Sequence, residues 1–163
     1  MTEKSKITQA MIDYFKNDSK RINHFIKVHS FAMLICDMET IDIARRRTIE
    51  IASIVHDIGI KKSEIKYGSS SGKYQEIEGP EEARKMLNTL GVEDEIIERC
   101  CWLIAHHHTY DHISEIDHQI LVEADFLVNI YEDEIGAQAI DSIKKNIFKT
   151  KAGLWLLSHL FDV

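Results

Sequence analysis

Residues 51–60 read IASIVHDIGI. Ile51, Ile54 and Val55 recur at the spacing of one helical face, and the pattern closes on an adjacent His56–Asp57 pair before Gly59. A carboxylate at the end of such an apolar run needs a partner, because a buried, unpaired one takes up a proton rather than stay charged. The pair is therefore the place from which to read outward.

Around it the periodicity is helical almost throughout, and strand-like alternation is absent. One proline and seven glycines in 163 residues leave few breakers. The pattern predicts helices from Thr8 to Lys16, from Lys20 to Met38 (with Asp18 or Ser19 as N-cap), and from Ile43 to Asp57. A long polar loop is expected over KKSEIKYGSSSGKYQEIEG, residues 61–79. Pro80 is read as the first position of a helix from Glu81 to Leu90, ended by Gly91. Further helices are expected from Val92 to His107 and from Gln119 to Glu132, with one or two more through Phe161. The expectation is an all-α bundle of about six to eight helices, forming a single domain over 1–163.

Three more polar residues sit on apolar helical faces. His24 precedes Val28 by four residues. His107 follows Leu103 by four. Asp125, within ILVEADFLVNI, follows Leu121 by four and precedes Val128 by three. Two buried carboxylates beside several histidines make sense if a cation sits among them, and imidazole with carboxylate suits iron, manganese, zinc or magnesium. Cys36, Cys100 and Cys101 form no CxxC pair, so neither a disulfide framework nor a thiolate zinc site is expected and a reducing compartment is the natural reading. A net charge of −7 argues against nucleic acid as the main partner. Arg45, Arg46 and Arg47 read as a solvated helix face. The first residues, MTEKSKITQAMIDYF, contain no apolar signal core, and no apolar run is long enough to span a bilayer, so no membrane contact and a cytoplasmic location are expected.

Three segments together, RINHFIKVHSFA (21–32), IASIVHDIG (51–59) and LVEADFLVNI (121–130), resemble the HD-domain superfamily of metal-dependent phosphohydrolases. The likeness runs over roughly residues 20–130 and puts Arg21, His24, Val28 and Ala32 in register with the family's first helix, selecting His24 rather than His29. It implies an HD-domain-like helical fold with His24, His56, Asp57 and Asp125 around a first divalent ion. Many such proteins hold a second ion. Here IEGPEEAR places Glu78 where histidine is common, and LIAHHHTYD offers His107 and His108, with His106 facing outward.

The resemblance implies one or two divalent ions, iron or manganese first, with zinc, magnesium, nickel or cobalt as further candidates. It implies hydrolysis of a phosphoester or phosphoanhydride, with a phosphorylated small molecule, expected to be a nucleotide, as substrate. Asp57 would bridge two ions, and His107 or His108 could act as general acid. Lys62 is the first candidate for a phosphate clamp, with Lys61, Lys66 and Lys73 nearby. Arg21 could reach substrate or pair with a carboxylate, and YGSSSGKYQE (67–76) could offer backbone N–H groups to an anion without the spacing of a P-loop. The rival readings are an HD-fold di-iron oxygenase and a non-catalytic nucleotide-binding regulatory domain. No GYP motif follows the paired histidines, which lowers a cyclic dinucleotide among the substrates.

Overall fold

A computed structural model describes all 163 residues as nine helices without strands: α1 (Glu3–Tyr14), α2 (Ser19–Met38), α3 (Ile43–Val55), α4 (Gly59–Tyr67), α5 (Gly72–Thr89), α6 (Asp94–Ile104), α7 (Ile116–Glu132), α8 (Ala137–Asn146) and α9 (Lys151–Leu160). The all-helical reading is confirmed. No helix is long and apolar enough to cross a membrane.

Capping explains where several helices begin. The Thr2 hydroxyl accepts from the Ser5 N–H, which starts α1 earlier than the apolar pattern alone predicts. Asp18 accepts from the Arg21 N–H and opens α2, as read from the sequence. Thr150 does the same for α9 through the Gly153 N–H.

The segment 61–79 is the main departure. It is not a loop: α4 and the first half of α5 occupy it, and only residues 68–71 lie between them. Gly68 ends α4 in the left-handed region (φ 64°), its N–H donating to the Glu64 carbonyl. The stripe these helices bury is narrow and made of small or polar residues such as Gly59, Ser63, Gln75 and Gly79, so it carries no apolar period. Pro80 lies inside α5 rather than at its start. Its ring removes one intrahelical hydrogen bond, and the packing of that turn on α4 holds the helix together. α6 is shorter than expected and stops at Ile104, leaving His106–His108 in a turn beyond it.

Two apolar clusters fill the interior. One joins α1 and α3–α6 through residues such as Ile7, Ile54, Leu87 and Leu103. The other joins α2, α7 and α9 through Val28, Ile35, Leu127 and Leu157. Helices α2, α3 and α7 contribute to both, through Phe25 and Val28, Ile51 and Ile49, and Leu121 and Ile120. These three helices also carry or immediately precede the polar residues singled out above.

The tightest crossing is α4 on α5. A Cβ built on Gly59 would lie 2.7 Å from the Gln75 carbonyl oxygen and 2.8 Å from the Gly79 nitrogen, both backbone atoms. Neither can swing aside, so the helices would have to separate. Gly59→Ala is expected to destabilise the protein by about 1–3 kcal/mol, read as a fall of several degrees in the melting temperature. An unchanged melting temperature would show that this crossing is looser than described.

Candidate metal centre

His24 comes from the second turn of α2, His56 and Asp57 from the turn that follows α3, and Asp125 from the middle of α7. His56 is fully buried, and His24 and Asp125 are nearly so. His24 Nε2 lies 3.1 Å from Asp125 Oδ1 and 3.4 Å from Asp57 Oδ2. His56 Nε2 lies 3.5 Å from Asp57 Oδ2 and 3.6 Å from Asp125 Oδ1.

Each imidazole is oriented from behind. His56 Nδ1 is 2.9 Å from the Ser53 carbonyl, and a carbonyl can only accept, so Nδ1 carries a proton and Nε2 is the atom turned to the cluster, where it takes up a proton or an ion. His107 is held the same way by the Ile104 carbonyl at 2.7 Å. His24 Nδ1 meets Glu132 Oε2 at 2.8 Å, and Glu132 Oε1 is in turn 2.5 Å from Lys27 Nζ. Ring nitrogens backed by carbonyls or a carboxylate are the usual arrangement behind metal-bound histidine.

His56 Nε2 and His107 Nε2 are buried and have no hydrogen-bond partner. They flank Asp57, with His107 Nε2 3.6 Å from Oδ1, the oxygen turned away from His56. Buried polar atoms of this kind are rare and call for an explanation. Divalent ions bind imidazole nitrogen and carboxylate oxygen at about 2.0–2.2 Å, which sets neighbouring donors roughly 3–3.5 Å apart. The donor spacing here fits that of a coordination shell and is too long, apart from the His24–Asp125 contact, for hydrogen bonding. His24, His56 and Asp57 form one group able to hold an ion, with Asp125 beside them, and Asp57, His107 and His108 form a second.

Without an ion, protons do the cation's work. Burial disfavours charge on His24, but Asp125, Asp57 and Glu132 outweigh it and raise its pKa to about 9. His56 is likewise raised against burial by Asp57 and Asp125. The carboxylates respond in kind. Burial opposes ionisation of Asp57 and Asp125, yet the neighbouring imidazoles hold both below the usual carboxylate range. His108 goes the other way: burial, assisted by the adjacent His107, lowers it to about 4.

The remaining candidates scatter. Glu78 is buried but turned from the cluster: Lys66 Nζ and the Tyr67 hydroxyl each donate to its Oε1 at 2.7 Å, and Lys62 Nζ lies 3.4 Å from Oε2. These partners hold its pKa down at about 2. Lys62 also faces Glu81 and Glu82, so it does not serve as the expected phosphate clamp in this arrangement. Lys61 Nζ donates to the Tyr14 carbonyl at 3.1 Å and lies over the Tyr14 ring, on the far side of α4. Lys73 is exposed at the start of α5. Arg21 pairs with Asp18 at 2.9 Å and with Glu64, and still lines the pocket above the cluster. His106 stacks on Trp102, outward from the site. His118 donates through Nε2 to the His106 carbonyl at 2.8 Å, bracing the turn.

Several pocket residues were assigned no role from the sequence, Gln75, Lys20, Asn129 and the Glu132–Asp133 pair among them. Gln75, one turn before Gly79 on the same face of α5, places Oε1 3.3 Å from His108 Nε2. Its place on that face relative to Gly79 was the available signal. Lys20 lines the mouth beside Arg21, and nothing but that adjacency marked it. Glu76 ties α5 to the histidine turn, accepting from the His108 N–H at 2.9 Å and the Thr109 hydroxyl at 3.0 Å.

The family model described as HD domain matches residues 21–144. The chain is also similar to the crystal structure of a predicted HD superfamily hydrolase from an uncultured Thermotogales bacterium: 25% identity, 97% of this chain and 84% of that one covered, TM-score 0.69. No curated protein matches the chain significantly.

Two outcomes follow from the geometry. Glu132→Gln removes the charge behind His24 and is expected to weaken divalent-ion affinity about 10–100-fold, measured by competition with a chelating dye; unchanged affinity would reduce Glu132 to a surface partner of Lys27. Second, an entering ion must displace the protons on His24 and His56, so its affinity rises with pH and levels off above about 9. The sign for the metal-free protein is opposite: the raised His24 pKa stabilises the fold fully below the ordinary histidine value of about 6.5, and that contribution is lost as pH rises through about 9. Calorimetric titration of the ion in buffers of different ionisation enthalpy should detect the released protons; no release would refute the charged cluster.

Proposed function

The chain belongs to the HD-domain family, and on that premise we propose that it is a metal-dependent phosphohydrolase. The observation that carries the metal is the pair of partnerless Nε2 atoms, on His56 and His107, facing a shared Asp57 in a buried setting. The cations that line the mouth, Lys20 and Arg21, suit a phosphorylated substrate.

His24, His56, Asp57 and Asp125 would hold the tighter ion. His107 and His108, with the other oxygen of Asp57, would hold a second and weaker one, since Glu78 is committed to Lys66, Lys62 and Tyr67. A divalent ion there supplies Lewis acidity, acidifying a water and drawing charge from the phosphoryl oxygens. The protein's own part is positional. Ser53, Ile104 and Glu132 fix the tautomers and directions of the three imidazoles. Asp57, held ionised, offers its two oxygens to opposite sides. Arg21, steadied by Asp18 and Glu64, and Lys20 orient the phosphate from the mouth. With only the tighter ion bound, His108, which lines the pocket with Gln75 against its Nε2, is free to hand a proton to the leaving oxygen instead of holding a second ion. His107 is too enclosed for that task and serves as ligand.

Elemental analysis of the purified protein after dialysis, beside Asp57→Ala and His107→Ala, tests the reading. About one equivalent retained by wild type, lost in Asp57→Ala and kept in His107→Ala, is expected, with phosphate-ester hydrolysis falling about 100-fold or more in Asp57→Ala. No metal in wild type after reconstitution with excess manganese or iron would overturn it.

A further inference from the structure

We propose that the substrate is a small hydroxylated phosphomonoester without a nucleobase, a sugar or polyol monophosphate. The inference rests on the phosphohydrolase reading and concerns what surrounds the reacting phosphate.

The pocket above the cluster has a volume of about 260 Å³. Clefts that take drug-sized ligands run to about 300–1,000 Å³ and are walled mainly by apolar and aromatic side chains. Here Ile60 is the single hydrophobic residue among the twelve that line the space, and none of the twelve is Phe, Tyr or Trp. A nucleobase is gripped by its faces, stacking on an aromatic ring for about 1–3 kcal/mol; the only rings here are the imidazoles of His24 and His108, which belong to the two ion-holding groups, with no Phe, Tyr or Trp beside them. Tyr110 has its hydroxyl 3.2 Å from His108 Nδ1 and its ring against Phe126, 5.1 Å between centroids. It braces the histidine turn rather than walling the space.

What the pocket does offer is hydrogen bonding of the kind hydroxyls need, since carboxamides both donate and accept and carboxylates accept. Asn129 lies one turn beyond Asp125 on α7, so it points to the same side, and its amide is not engaged by the protein. Ser70 and Gln75 stand opposite, with the Gln75 amide nitrogen tied to the Ser70 carbonyl at 2.8 Å. Asp133 closes the α7 rim. Charge is divided across the mouth: Lys20 and Arg21 on the α2 side can meet one phosphate, while Glu132 and Asp133 on the α7 side repel a longer polyphosphate. In the reaction, water adds at phosphorus, the bond from phosphorus to the sugar oxygen breaks, that oxygen leaves with a proton as the free alcohol, and inorganic phosphate is released.

The sharpest comparison keeps the phosphate and the sugar and varies only the base. With the metal-loaded protein, phosphate release from ribose 5-phosphate is measured beside 5′-AMP and 5′-UMP, together with the melting temperature at equal concentrations of each. The expected result is a kcat/KM for ribose 5-phosphate about tenfold or more above both nucleotides, and a larger rise in melting temperature. Asn129→Leu is expected to raise KM for ribose 5-phosphate about tenfold with metal content unchanged. Nucleotides hydrolysed as well as or better than ribose 5-phosphate would overturn the inference and leave the phosphohydrolase reading standing. Phosphate release from none of the probes would overturn both.

Discussion

Two carboxylates, Asp57 and Asp125, are kept ionised inside a helical protein, and much of the structure answers that demand. Each alone would be driven to protonate by the loss of water. The answer is built from three chain segments: His24 on α2, His56 after α3 and Asp125 on α7 converge because these helices serve both apolar clusters and cannot shift relative to one another without opening either. Positive charge must be present in some form. Protonated imidazoles supply it when no ion is bound, and an ion supplies it better, because it also engages the Nε2 atoms of His56 and His107, which no protein atom pairs with. Ion binding and folding therefore draw on the same interactions.

How far the sequence carries depends on whether a residue's neighbours repeat at the helical period. His24, His56 and Asp125 lie on or at the end of strongly apolar faces, and a period of 3.6 residues is enough to say that they point inward together. The stretch 61–79 fails that test for a physical reason. Apart from Ile60, what α4 and the first half of α5 bury is glycine, serine, glutamine and glutamate, since the backbones approach too closely at Gly59 and Gly79 for larger side chains. A helix pair packed on small and polar residues leaves no hydrophobic signature, and the segment reads as loop. The same gap displaced Glu78. The resemblance offered Glu78 because it stands where histidine is common, and the register of α5 instead turns it to Lys66 and Tyr67 and puts Gln75, a turn earlier, beside His108. The lysines erred similarly: nearness to the His-Asp pair in sequence says nothing of direction, and α4 carries Lys61 and Lys62 round to Tyr14 and to the acids of α5.

The α4–α5 crossing does more than fill space. Gly79 sits under Ile104, whose carbonyl orients His107, and a Cβ on Gly79 would come within 2.5 Å of the Ile104 side chain. A few residues upstream, Glu76 anchors the turn that holds His108, and Gln75 touches its ring. One helix thus sets both histidines of the second group, by packing on one and by hydrogen bonds on the other. It does so without giving the ion a carboxylate, because Glu78, the buried acid of α5, is spent on α4 through Lys66 and Tyr67. The two halves of the site consequently differ in kind. The half made by α2, the α3 turn and α7 has two carboxylates and rigid backing on both of its imidazoles. The half made by α5 and the α6 turn has only a shared carboxylate, and its outer ring, His108, rests on side-chain amide and hydroxyl contacts. Affinity for a cation follows the density of fixed negative charge, so the first half is the anchor. The second is the adjustable side, where an ion, a water or a substrate oxygen can each find a partner, and it is there that the polar lining of the pocket has its effect on what is bound.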